Sequence, residues 1–144
     1  MKVLVGIAVV AVLAALATNL LRHRGETYLH HQFDTALPSQ VEAHPWAPVR
    51  HGRSVPANRV TFQDGELTAT RCHVALGGYS VLINHRFAFQ RASVPIKAGC
   101  PGRTLQSALA HATHVEIESR GKVERLVFTD DQDRTVAQLQ GRPS

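Results

Sequence analysis

From residue 59 to residue 140 the sequence is a series of short apolar–polar alternations cut by turn residues, and a period of two confines such a chain to a sheet. In "RVTF" Val60 and Phe62 alternate, and Asp64-Gly65 follows as a strong hairpin dipeptide. Leu67 and Ala69 of "LTATRC" continue the apolar face, and Gly77-Gly78 reads as a second turn. "YSVLI", Asn84-His85 and "RFAF" give another hairpin, with Phe87 and Phe89 on one face. "QRASVPIK" reads as an irregular or edge segment, because Pro95 cannot donate to a ladder. "VEIES" alternates strictly, Val115 and Ile117 against Glu116 and Glu118, and "KVERLVF" and "TVAQLQ" are two more strands joined by the acidic turn "TDDQD". Only "RTLQSALAHAT" reads as a soluble helix: Leu105, Ala108, Leu109 and Ala112 fall on one stripe, and Thr104 after Pro101-Gly102 can cap it. The expected fold is α+β, a mainly antiparallel β-sheet with one short helix, preceded by an N-terminal apolar helix and an irregular linker.

The chain of 144 residues is long enough for one domain with appendages. Aromatic residues make up only 6%, so the core must rest on Val, Leu, Ile and Ala. Formal net charge is +5 and is uneven: residues 59–103 hold six basic and two acidic side chains, residues 104–144 five and six. A basic surface attracts acidic lipids or anionic envelope polymers, or simply keeps a small protein soluble; nucleic acid is not the partner expected.

The N-terminus carries a second constraint. Lys2 is followed by an apolar run from Val3 to Ala17. Residues 1–21 read either as a secretory signal peptide with Ala15-Leu16-Ala17 as the cleavage site, or as a membrane anchor continuing through Leu21. Either reading places the domain outside the cytoplasm, as a membrane-anchored or a secreted, periplasmic protein. Residues 22–58 hold four prolines, Gly25, Gly52 and five of the nine histidines, and read as a linker ahead of a domain spanning 59–144. Trp46 is the exception in that stretch, since a ring of that size gains by docking on the domain.

No motif in the chain spells out a chemistry. His111 and His114 lie three apart, but no CxxC or HExxH occurs, so no metal or other cofactor is expected. There is no GxSxG elbow and no phosphate-binding glycine loop, so no catalytic residue is assigned. Cys72 and His73 are adjacent, which on a strand points them apart. Arg59, Arg71, Arg86, Arg91, Lys97 and Arg103 are candidate anion-binding residues if their strands bring them to one face.

The order of features resembles the META domain, the family of HslJ-like bacterial heat-shock and envelope proteins. The resemblance runs from Trp46 through "VTFQDGELTATRCHVALGGYSV" and "RFAFQRASVPIKAGCP" to "LVFTDDQDRTVAQL". Cys72 falls on the cysteine of the family's first motif, Gly77 and Tyr79 on its turn and Cys100 on its second cysteine, although Arg71 and His73 replace the usual flanking Gly and Asn. The resemblance implies a small, exported, non-catalytic α+β domain of the bacterial envelope, associated with stress tolerance, with the two cysteine motifs neighbours in space. An even cysteine count in an exported chain also favours pairing, so a Cys72–Cys100 disulfide is expected. Three functions follow as expectations: an envelope domain that binds or supports an envelope protein or polymer; a thiol redox protein using Cys72 and Cys100; and a polyanion-binding module with a basic face.

Overall fold

The computed structural model describes residues 37–142. The apolar leader expected at 1–21 and the first part of the expected linker lie outside those residues. Among the described residues are two short helices, α1 (Leu37–Glu42) and α2 (Arg103–Leu109). They accompany nine strands: β1 (Ala47–Arg50), β2 (Arg53–Ser54), β3 (Val60–Gln63), β4 (Glu66–Ala69), β5 (Val74–Val81), β6 (Phe87–Arg91), β7 (His114–Arg120), β8 (Val123–Thr129) and β9 (Thr135–Gly141). The architecture is mainly antiparallel sheet with short helices.

The strands form two sheets, ordered β2-β1-β9-β8-β7 and β3-β4-β5-β6. Single antiparallel bridges join the sheets at both margins, Trp46 with Val60 and Arg86 with His114. The bridges bring the margins of the two sheets together, while beyond Arg86 and His114 the strands β6 and β7 make no further ladder with each other among the described residues. α2 packs against β5 of one sheet and β9 of the other. Its inward face is Leu105 and Leu109, with Ala112 buried just beyond its end, and the buried Gln106 donates through Nε2 to the Leu76 carbonyl at 2.8 Å.

Turn chemistry sets the hairpins. Asp64 (φ 51°) and Gly65 (φ 80°) connect the paired residues Gln63 and Glu66, the two positive φ values a two-residue hairpin of matching twist requires. His51 (φ 50°) and Gly52 (φ 75°) do the same between Arg50 and Arg53.

Three local readings of the sequence are corrected. Gly77-Gly78 is not a turn: both lie inside β5, where Gly77 pairs with Leu67 on one side and Arg91 on the other. A Cβ on Gly77 would collide with the Gln90 backbone carbonyl and sit 2.7 Å from Phe89 Cζ, so glycine is there to let the neighbouring backbone, and with it the Phe89 ring, lie against the strand. The register shift beside it leaves Leu76 as the extra, fully buried residue of a β-bulge. Thr104 does not cap α2; Gly102 occupies the N-cap, without a side-chain cap bond. Residues 37–58 are not irregular linker, since they hold α1, β1, β2 and a 3₁₀ turn at Pro56–Asn58. Those pieces are two to six residues long, too short for a period to show.

The core is economical in aromatic rings. Phe128 on β8 meets Phe87 edge-on at 4.8 Å and stacks toward Phe62 at 6.3 Å, and Phe62 meets the Tyr79 ring edge-on at 4.9 Å. These contacts span the two sheets, with Leu67, Leu76, Leu109, Val115, Leu126 and Leu139 fully buried around them.

The acidic turn is stapled by one carboxylate. Asp130 is buried; its Oδ1 accepts the Gln132 and Arg134 N–H groups at 2.9 and 3.0 Å, and its Oδ2 accepts Arg134 Nε at 2.9 Å. The Arg134 backbone N–H, then its guanidinium, hold the Asp130 carboxyl below the usual carboxylate range.

Two predictions follow from this packing. Gly77→Ala is expected to lose about 1–3 kcal/mol, the usual cost of overpacking, read as a lower urea midpoint. Gly78→Ala, whose Cβ would meet only Gly65 O at 3.6 Å, is expected to stay close to the parent; equal losses would reject the Phe89 argument. A depressed folded-state pKa contributes stability above the unfolded value of about 3.9 and loses it as pH falls toward the folded value. Asp130→Asn is therefore expected to be less stable than the parent at neutral pH, with the gap narrowing in acid. A gap unchanged between pH 7 and pH 3 would show that the Asp130 charge is not what holds the turn.

Candidate functional site

Two segments that the sheet leaves free are tied together by sulfur. Cys72 lies in the β4–β5 turn and Cys100 in the 92–102 loop ahead of α2. The two form a disulfide with Cα atoms 5.9 Å apart, inside the span a bridge accepts. Both residues are half-buried and packed on the core. The loop is fastened along its length: Ala92 N–H donates to Leu76 O at 3.0 Å, Ile96 is buried, Cys100 N–H donates to Lys97 O at 3.2 Å, and Arg103 Nη2 donates to Ile96 O at 3.1 Å. Leu76 O, at the bulge, thus takes both the loop and the Gln106 side chain.

The same end of the four-stranded sheet collects positive charge. Arg59 precedes β3, and its carbonyl accepts the Thr70 N–H at 3.0 Å, which sets Arg59 beside Arg71. Arg71 adjoins the cystine, Lys97 and Arg103 flank Cys100 in the chain, and Arg91 ends β6 on the strand next to it. All five side chains are exposed. Arg86 is not part of the group: it starts β6 at the opposite end, bridged to His114. From residue 67 to residue 115 the chain contains no Asp or Glu. The ion pairs among the described residues are elsewhere, His44 with Glu124 at 2.9 Å and Arg134 with Asp130 at 2.8 Å.

Sequence reading missed Arg142, which lines a surface cleft together with Arg59. Nothing in the sequence links two arginines so far apart; the pairings of β1 with β9 and of Trp46 with Val60 do.

The remaining motif positions are structural. Trp46 is fully buried, its Nε1–H donating to Val41 O at 2.7 Å at the end of α1. Tyr79, half-buried on β5, donates its hydroxyl to Glu42 Oε1 and so ties β5 to α1. Burial first, and then the Glu42 carboxylate, push the Tyr79 phenol well above its ordinary value.

Among the described residues no three His, Cys, Asp or Glu side chains gather as a metal site, and no helix is long and apolar enough to cross a membrane. No protein-family model, no curated protein and no solved structure matches the chain.

In the chain-entropy view, closing a loop across 28 positions contributes about 3–4 kcal/mol. Cys72→Ser/Cys100→Ser is expected to lose about that much in chemical denaturation, and alkylation of unreduced native protein is expected to label neither cysteine. Quantitative labelling of both without reduction would overturn the bridge.

Proposed function

We propose that this chain is a non-catalytic, exported META-like domain of the bacterial cell envelope that acts by binding an envelope protein or polymer. The observation that carries the reading is the cystine. A disulfide joining a surface turn to a surface loop persists in an oxidising compartment and is rare in the cytosol. The Lys2-led apolar run ahead of the domain agrees with it, and so does the META-like order of Trp46, Cys72, Gly77, Tyr79 and Cys100.

A second reading, a polyanion-binding module, is favoured by the gathering of Arg59, Arg71, Arg91, Lys97 and Arg103 at one end of the sheet. Exposed like charges without carboxylate partners raise the local potential and draw anionic groups.

The export reading is tested by fusing alkaline phosphatase, which is active only outside the cytoplasm, after Ser144. The fusion is expected to be active. An inactive fusion, alongside an active cytoplasmic reporter at the same position, would reject it.

A further inference from the structure

We infer that the cleft between the start of β1 and the end of β9 is a binding site for a single oxyanion group, phosphate or carboxylate, held between Arg59 and Arg142. The cleft, about 450 Å³, is walled by Pro45, Pro56, Ser54 and Gln140 along with the two arginines. The fold brings the arginines together through two consecutive pairings. Trp46 bridges Val60, which sets Arg59 beside the start of β1; Ala47 pairs with Gln140, which sets Arg142 beside the same residues from the other side.

Arg59 and Arg142 both line the cleft, both are exposed, and neither has a carboxylate partner among the described residues, so like charge gathers at one cleft. An entering oxyanion offsets that charge and offers each planar fork its preferred acceptor. Ser54 and Gln140, whose side chains carry neutral donors, also line the cleft. Pro45 and Pro56 restrict the backbone at two lining positions. The cleft beside α2 that is lined by His111, Asp130, Asp131 and Arg134 offers a contrast, because there the guanidinium is already neutralised by Asp130. The inferred ligand is a phosphoester or an acidic sugar residue presented by a larger molecule, since the cleft has room for one such group and an adjoining ring but not for a folded partner. This inference deepens the polyanion reading and is independent of export.

The test is a titration of the ¹⁵N-labelled full-length chain in neutral detergent, with inorganic phosphate and, separately, glucuronate. Sodium chloride holds ionic strength near ~0.1 M, where the screening length is about 10 Å. The expected result is saturable shifts confined to Ser54, Arg59 and residues 140–142. Arg59→Ala and Arg142→Ala are each expected to weaken them at least about tenfold, while Arg86→Ala, at the opposite end of the sheet, leaves them unchanged. Arg59→Lys and Arg142→Lys, which keep the charge without the fork, are expected to fall between. A response to phosphate alone assigns a phosphoester and a response to glucuronate alone an acidic sugar, and either supports the site. Shifts spread over Arg71, Arg91 and Lys97, or unaltered in the Arg59 and Arg142 variants, would overturn the cleft and leave the broad basic face standing. The absence of any shift would overturn the cleft, and retention on an anionic matrix would then judge the face separately.

Discussion

The burial of Trp46 at the seam between the two sheets is the contact on which the joining of those sheets depends. Its backbone exchanges hydrogen bonds with Val60 in both directions at 2.8 Å, which starts the pairing of one sheet with the other. Its indole is inaccessible to solvent, donates to the end of α1, and packs at 4.2 Å on the His44 ring, whose Nε2 reaches Glu124 on β8. Trp46, with His44 beside it, thus links α1, β3 and β8 around the start of β1. A single bridge cannot join two sheets by itself, because one pair of hydrogen bonds nets only about 1–3 kcal/mol. Full burial of the largest side chain, typically worth several kcal/mol on truncation, makes the seam lasting.

At the other margin the seam rests on apolar packing of a different kind. Arg86 bridges His114, and the neighbouring Phe87 is buried against Phe128. Among the described residues, Phe62, Phe87, Phe128 and Tyr79 form one line of ring contacts between the sheets, and aliphatic residues fill the rest of the core. Gly77 serves the same packing, since omitting one Cβ makes room for the Gln90 carbonyl and the Phe89 ring.

How much of this the sequence discloses depends on how local the cause is. The hairpin at Asp64-Gly65, the alternation of β7 and the inward stripe of α2 are each decided by neighbours in the chain, and they are legible there. Gly77-Gly78 misleads because a glycine pair looks alike whether it makes a turn or makes room, and the room is required by Phe89 twelve positions on. β1 is invisible because Ala47-Pro48-Val49-Arg50 holds a proline and does not alternate, and β2 because two residues carry no period. Trp46 could be singled out by size alone, but its partners Val41, Val60 and His44 could not. The basic residues show the same division: their number is plain in the sequence, whereas the separation of Arg86 and the approach of Arg142 to Arg59 arise only from pairing.

The position of the cystine bears on which function the domain can serve. Residues 92–102 form the longest described stretch outside helix and strand, and the β4–β5 turn lies beside it. A covalent link there adds to the few hydrogen bonds that fasten the loop, so the bridge has a structural reason to exist apart from any redox cycle. Around it stand exposed Arg71, Lys97 and Arg103, whose mutual repulsion favours spreading the loop. A chain selected for stability alone would interleave carboxylates there, as it does on β7 and β8, where Glu116, Glu118 and Glu124 lie among Arg120, Lys122 and Arg125. A pinned loop whose charges lack carboxylate partners is compatible with the anion binding proposed above, since exposed like charges raise the local potential.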